Sequence, residues 1–153
     1  MNIRLLFACA ALAAPLAHAH VTLEQTSANA GAYQKLTFRV GHGCKGSPTH
    51  TLAVTLPEGF NGAKPMPKSG WAVTSTVSQV TWKGGPLQDA HYDEFVMQVK
   101  LPAIVGRHYF KVTQLCDEGR MDWDALPDAS GAKLASPAPF IEIIPAAAGA
   151  PHH

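Results

Sequence analysis

Beyond residue 20, apolar and polar residues alternate with a period of two over most of the chain. The clearest run is 33–40, with Leu36, Phe38 and Val40 on one side. Residues 51–56 repeat the pattern and stop at the turn signal Pro57-Glu58-Gly59. Runs at 73–77 and 80–82 precede a break at Lys83-Gly84-Gly85-Pro86. The two longest strands are expected over 94–101 and 108–114. In the first of these Phe95, Met97 and Val99 share one face, and Glu94, Val96 and Gln98 the other. Short strands at 21–23 and 121–123 and a closing strand at 140–144 complete the set. No window sustains a helical period. Roughly eight or nine short strands separated by turn residues predict an all-β fold, a single antiparallel β-sandwich of immunoglobulin or cupredoxin type. There is no internal repeat or inner linker.

The first 19 residues do not fit this pattern. Arg4 gives a short positive start, Leu5 to Ala14 form an apolar stretch, and Ala17-His18-Ala19 places small residues where signal peptidase cuts. Pro15 breaks the stretch, and it is too short for a membrane span. The expected organisation is a signal peptide over 1–19, a β-sandwich domain over 20–145 and a flexible tail over 146–153, rich in Ala, Pro and His. A cut after Ala19 makes His20 the first residue of an exported protein, periplasmic or secreted; a cut after Ala17 is the neighbouring alternative. No second long apolar stretch follows, so no membrane anchor is expected.

Charge narrows the partners. The chain has 12 Lys+Arg and 11 Asp+Glu, and losing Arg4 with the leader balances them at 11 each. A balanced chain has no basic footprint for nucleic acid and no polybasic patch for membranes. Cys9 leaves with the leader, so Cys44 and Cys116 remain as a pair. In an oxidising compartment their default state is a disulfide. Closing a loop of about 70 residues is worth on the order of 4 kcal/mol in the chain-entropy model.

The candidate chemistry begins at His20. Cleavage before it would put a free α-amine and an imidazole Nδ1 on one residue, able to chelate one ion in a six-membered ring. Such a nitrogen pair suits Cu(II), which prefers tetragonal N/O surroundings. The amine must lose its proton to bind, which its ordinary pKa near 8 allows close to neutral pH. A carboxylate at a strand start, in Asp93-Glu94-Phe95, could reach the rim where the first strand begins. Trp123 follows the turn Asp117-Glu118-Gly119 and is flanked by Asp122 and Asp124, which suggests a partly exposed ring able to stack near a cation. His42, His50 and His91 lie near turns and His108 in a strand; all four read as surface or internally satisfied histidines.

Several segments together resemble the YcnI-like copper-binding domain family. They are His20-Val21-Thr22-Leu23 after the leader, Ser27 to Gly31, Gly43 to Thr49, Leu56 to Phe60, Pro67 to Trp71, Thr81-Trp82, Asp93 to Phe95, and Gln114 to Trp123. Their order and spacing cover nearly all of residues 20–145. The resemblance implies an exported β-sandwich that binds one Cu(II) per chain through an N-terminal histidine, a glutamate and a tryptophan. Carried over, these roles fall on His20, Glu94 and Trp123, with Asp93 and Glu24 as rival carboxylates. Many relatives carry a C-terminal membrane helix; this chain ends at His152-His153, which suggests a freely diffusing protein.

The expected function is therefore copper trafficking or homeostasis, without catalysis, with the copper ion and another copper-handling protein as partners. An N/O donor set holds Cu(I) less well than Cu(II), so a reductant would favour release to a softer site. Two other classes remain open. One is a metal-free sandwich for adhesion or protein contact. The other is a copper oxygenase, which needs a second histidine in the brace, and none stands out. No motif supports a hydrolase nucleophile.

Overall fold

A computed structural model describes residues 20–146. The leader with its cut, and nearly all of the tail, lie outside the described residues. The twelve strands are β1 (Thr22–Leu23), β2 (Ser27–Asn29), β3 (Tyr33–Val40), β4 (Thr49–Thr55), β5 (Asn61–Pro65), β6 (Trp71–Ser75), β7 (Gln79–Leu87), β8 (Asp93–Lys100), β9 (Gly106–Tyr109), β10 (Lys111–Cys116), β11 (Arg120–Trp123) and β12 (Phe140–Ile144). They form a four-stranded sheet β1-β3-β8-β5, a five-stranded sheet β11-β10-β4-β7-β6 and a three-stranded sheet β2-β12-β9. All pairings are antiparallel except β2 with β12.

The expected faces hold. Leu36, Phe38 and Val40 of β3 and Phe95, Met97 and Val99 of β8 are buried. They meet Leu52 and Val54 of β4, Val80 and Trp82 of β7 and Val112 of β10 in one core. Aromatic rings cross between the sheets: Phe95 packs nearly perpendicular to Trp71 and Trp82, and Phe38 to Phe110. Edge-to-face packing of this kind adds stabilisation beyond area burial.

Three departures from the alternation pattern have physical causes. The single strand expected over 108–114 is two strands. It leaves the three-stranded sheet at Tyr109 and joins the five-stranded sheet at Lys111. Phe110, fully buried, sits at the crossing, where its amide donates to Pro139 O. A strand changing sheets is a usual way of turning a sandwich corner. The expected break at 83–86 lies inside β7. Here the glycines permit a close approach rather than a turn: a Cβ at Gly84 would lie 2.2 Å from Gly70 O, and one at Gly85 2.6 Å from the Trp71 ring. The pair admits β6 and the Trp71 indole against β7. The third departure is β5, whose sequence Asn-Gly-Ala-Lys-Pro has little β-propensity and is held by pairing with β8.

Candidate metal centre

Cys44 and Cys116 form a disulfide with Cα atoms 5.9 Å apart, spanning 72 residues. It fastens the loop after β3 to the end of β10. That loop closes tightly: Cys44 N donates to Ser47 O (3.0 Å) and Ser47 N to Cys44 O (3.1 Å). The two central residues, Lys45 and Gly46, have φ of 53° and 91°. Positive φ at both positions is the geometry of a type I′ turn. Gly43 is buried against this turn, donating its amide to Asp89 Oδ1 at 2.8 Å.

Next to the disulfide lies a buried polar group set among apolar neighbours. Gln114 alternates with Val112 and Cys116 on the inward face of β10 and is fully buried. Its amide is satisfied at both ends. Nε2 donates to His42 O and to Thr49 Oγ1, each at 2.7 Å. Oε1 accepts from Trp123 Nε1 at 3.0 Å. Fully satisfied polar groups of this kind fix a single packing arrangement.

Trp123 is 2 % exposed, so the partly exposed ring expected from its acidic neighbours is wrong. Asp122 and Asp124 flank it in sequence, but strand alternation sends their side chains away from the ring. Asp122 instead meets Arg120, Nε to Oδ2 and NH2 to Oδ1, both at 2.8 Å. That guanidinium, with the Thr113 hydroxyl, holds the Asp122 carboxyl below its ordinary value against a smaller opposing effect of burial.

Two imidazoles pack on the Trp123 indole. The His20 ring lies 5.8 Å from it, centroid to centroid, at 87°. The His42 ring lies 5.9 Å away at 66°. The strand register explains why both are there. β1 pairs with β3 as Thr22↔Arg39 and Leu23↔Phe38, so following it two residues back sets His20 beside Gly41, one residue before His42. His42 was read from sequence as a surface or satisfied histidine, and its turn-rich neighbourhood gave no signal of Trp123.

The expected carboxylate lies in the row that leads to β1, since Arg39 pairs with Glu94 on one side and Thr22 on the other. Glu94 stands opposite Arg39 in the β3–β8 register, on the outward face of the four-stranded sheet. Its Oε1 accepts from Arg39 Nε at 3.0 Å, while Glu24 Oε1 accepts from Arg39 NH2 at 2.9 Å. The Glu94 hydrogen bond first, then the charge of Glu24, raise the Arg39 guanidinium above its ordinary value. Asp93 pairs with Lys68 Nζ at 2.6 Å. Each of the three candidate carboxylates thus has a cationic partner. Among the described residues no three His, Cys, Asp or Glu side chains gather into one metal-sized cluster. What gathers at Trp123 is two imidazoles, beside the backbone nitrogen that cleavage would free. Nitrogen donors without a thiolate or thioether fit Cu(II).

The profile of a family described as a domain of unknown function (DUF1775) matches residues 20–76 and 72–143. The chain belongs to this family. Its match begins at His20 and so includes the Trp123 end. No curated protein matches. Among solved structures, an uncharacterised protein from Nocardia farcinica with an immunoglobulin-like fold is similar at 27 % identity. It superposes with a TM-score of 0.73 over 81 % of this chain and 97 % of its own. The seventh ScaB type I cohesin from Pseudobacteroides cellulosolvens shares the fold at 11 % identity and a TM-score of 0.51, covering 88 % of this chain and 97 % of its own. The all-β sandwich of this DUF1775 domain is therefore of immunoglobulin-like type. No helix among the described residues is long and apolar enough to cross a membrane. The disulfide suits an oxidising compartment.

Proposed function

We propose that this DUF1775 domain is an exported Cu(II)-binding protein of copper trafficking or homeostasis, holding one ion at the His20–Trp123 end. The observation that carries the reading is the contact between the first residue of the family match and a buried, hydrogen-bonded indole. After cleavage before His20, its α-amine and Nδ1 would chelate the ion, and Trp123 would shield one side from water. Glu94 is the carboxylate that the resemblance to YcnI-like domains assigns. In its present position it serves Arg39, and an exposed ion pair is a weak restraint on it. The ion is cargo: it is bound and handed on, with no reaction at the site.

The test compares Cu(II) binding, by calorimetry and EPR, in protein beginning at His20 and in protein with one extra residue before it. Strong binding only by the first supports an amine ligand. Equal binding removes the amine from the site and overturns the reading. A metal-free interaction module, the competing class, predicts no Cu(II) uptake and no quenching of tryptophan fluorescence by either protein.

A further inference from the structure

We infer that His42 supplies a second imidazole ligand of this ion through Nε2. The inference rests on the Cu(II) reading of the His20–Trp123 end and adds a nitrogen to its ligands.

Four observations carry it. The first is placement: His20 and His42 pack on the same indole at 5.8 and 5.9 Å, and the β1–β3 register brings their backbones side by side. The second is the tautomer. His42 Nδ1 meets the carbonyl oxygen of its neighbour Gly43, so Nδ1 carries the proton and donates it. Nε2 is left with its lone pair, and among the described residues it has no hydrogen-bond partner. A backbone carbonyl taking the other ring proton is how metal-binding histidines are usually oriented.

The third is rigidity. The carbonyl of His42 is held by Gln114 at 2.7 Å, the amide of Gly43 by Asp89 at 2.8 Å, and Cys44 by the disulfide. Gly43 itself has no room for a side chain, since a Cβ would lie 1.8 Å from Ser47 O. Three successive residues are fixed from three directions, and Gln114 ties the same segment to Trp123. Ligands held in advance lose little freedom on binding. The fourth is the donor set. The amine and Nδ1 of His20 with Nε2 of His42 make three nitrogens, a set Cu(II) takes in preference to the other first-row divalent ions.

The experiment uses protein cleaved before His20, titrated with Cu(II) alone, as wild type, His42→Ala and His108→Ala. Tryptophan fluorescence gives affinity, and EPR nitrogen hyperfine structure counts nitrogen ligands. His42→Ala is expected to weaken binding by at least about 100-fold, the upper end of what losing an outer-sphere partner costs, and to lower the nitrogen count by one. His108→Ala, at a histidine that packs on Phe60 instead of Trp123, is expected to bind as wild type does. A second measurement needs no variant. In the NMR spectrum of wild type, substoichiometric Cu(II) should broaden the His42 ring protons before those of His50, His91 and His108. Wild-type binding with an unchanged nitrogen count and affinity in His42→Ala, or with an unbroadened His42 ring, overturns the inference and leaves the Cu(II) reading standing. Absence of Cu(II) binding by wild type overturns both.

Discussion

Trp123 and Gln114 show what a single position can and cannot announce. The acids flanking Trp123 suggested an exposed ring, yet alternation along Arg120–Trp123 puts it inward, opposite Val112. Local polarity misled because a strand's neighbours face the other way. Gln114 was written in the sequence as a polar residue in the inward row of Val112 and Cys116, a misfit that marks a buried hydrogen-bonding group. Replacing it with leucine removes the acceptor of Trp123 Nε1 and the donor to His42 O and Thr49 Oγ1. Each buried group left unsatisfied costs about 1–3 kcal/mol. Gln114→Leu should therefore lower the melting temperature clearly, and the near-ultraviolet circular dichroism of Trp123 should change. A variant melting as wild type does would show that the amide does not organise this end.

The long strands were legible because one face is buried: β3, β4 and β8 carry apolar residues at every second position. Strands β2 and β5 and the end of β7 were not, because their residues are mostly small, polar or glycine and are ordered by the strand beside them. The segment from His42 to Ser47 lies between these cases. That His42 lies near a turn was readable, but its neighbour Trp123 lies some 80 residues away, and no local signal joins the two. The disulfide spans nearly the same separation. Replacing both cysteines by serine should cost on the order of 4 kcal/mol in the chain-entropy model. It should also free Gly43 and His42, so the doubly substituted protein is expected to bind Cu(II) less well even at temperatures where it stays folded. Calorimetric melting and titration of that variant measure the two effects separately. Unchanged affinity in the folded variant would mean that the loop holds its shape without the bridge.

At the scale of the molecule, the fold class, the inward faces and the disulfide pair followed from alternation and cysteine count, because each is a property of many residues or of compartment chemistry. The site did not follow in full, because His20, His42 and Trp123 lie on three different segments. Their meeting depends on a register that only the assembled sheets define. The crossing at Phe110 belongs to this scale too. Its ring packs on both Phe38 and Phe60 and is fully buried. Truncation to alanine is expected to cost about 3–5 kcal/mol, as for other buried phenylalanines, readable as a lower midpoint in denaturant.

That crossing also bears on how the protein opens. β9 and β10 are one continuous stretch of backbone shared by two sheets, so the three-stranded sheet has no hinge on which to swing away by itself. Its amides in β12 should then exchange with deuterium at the slowest rates in the molecule, matching those of β4 and β10. A sheet of three short strands would otherwise be the first part to fray.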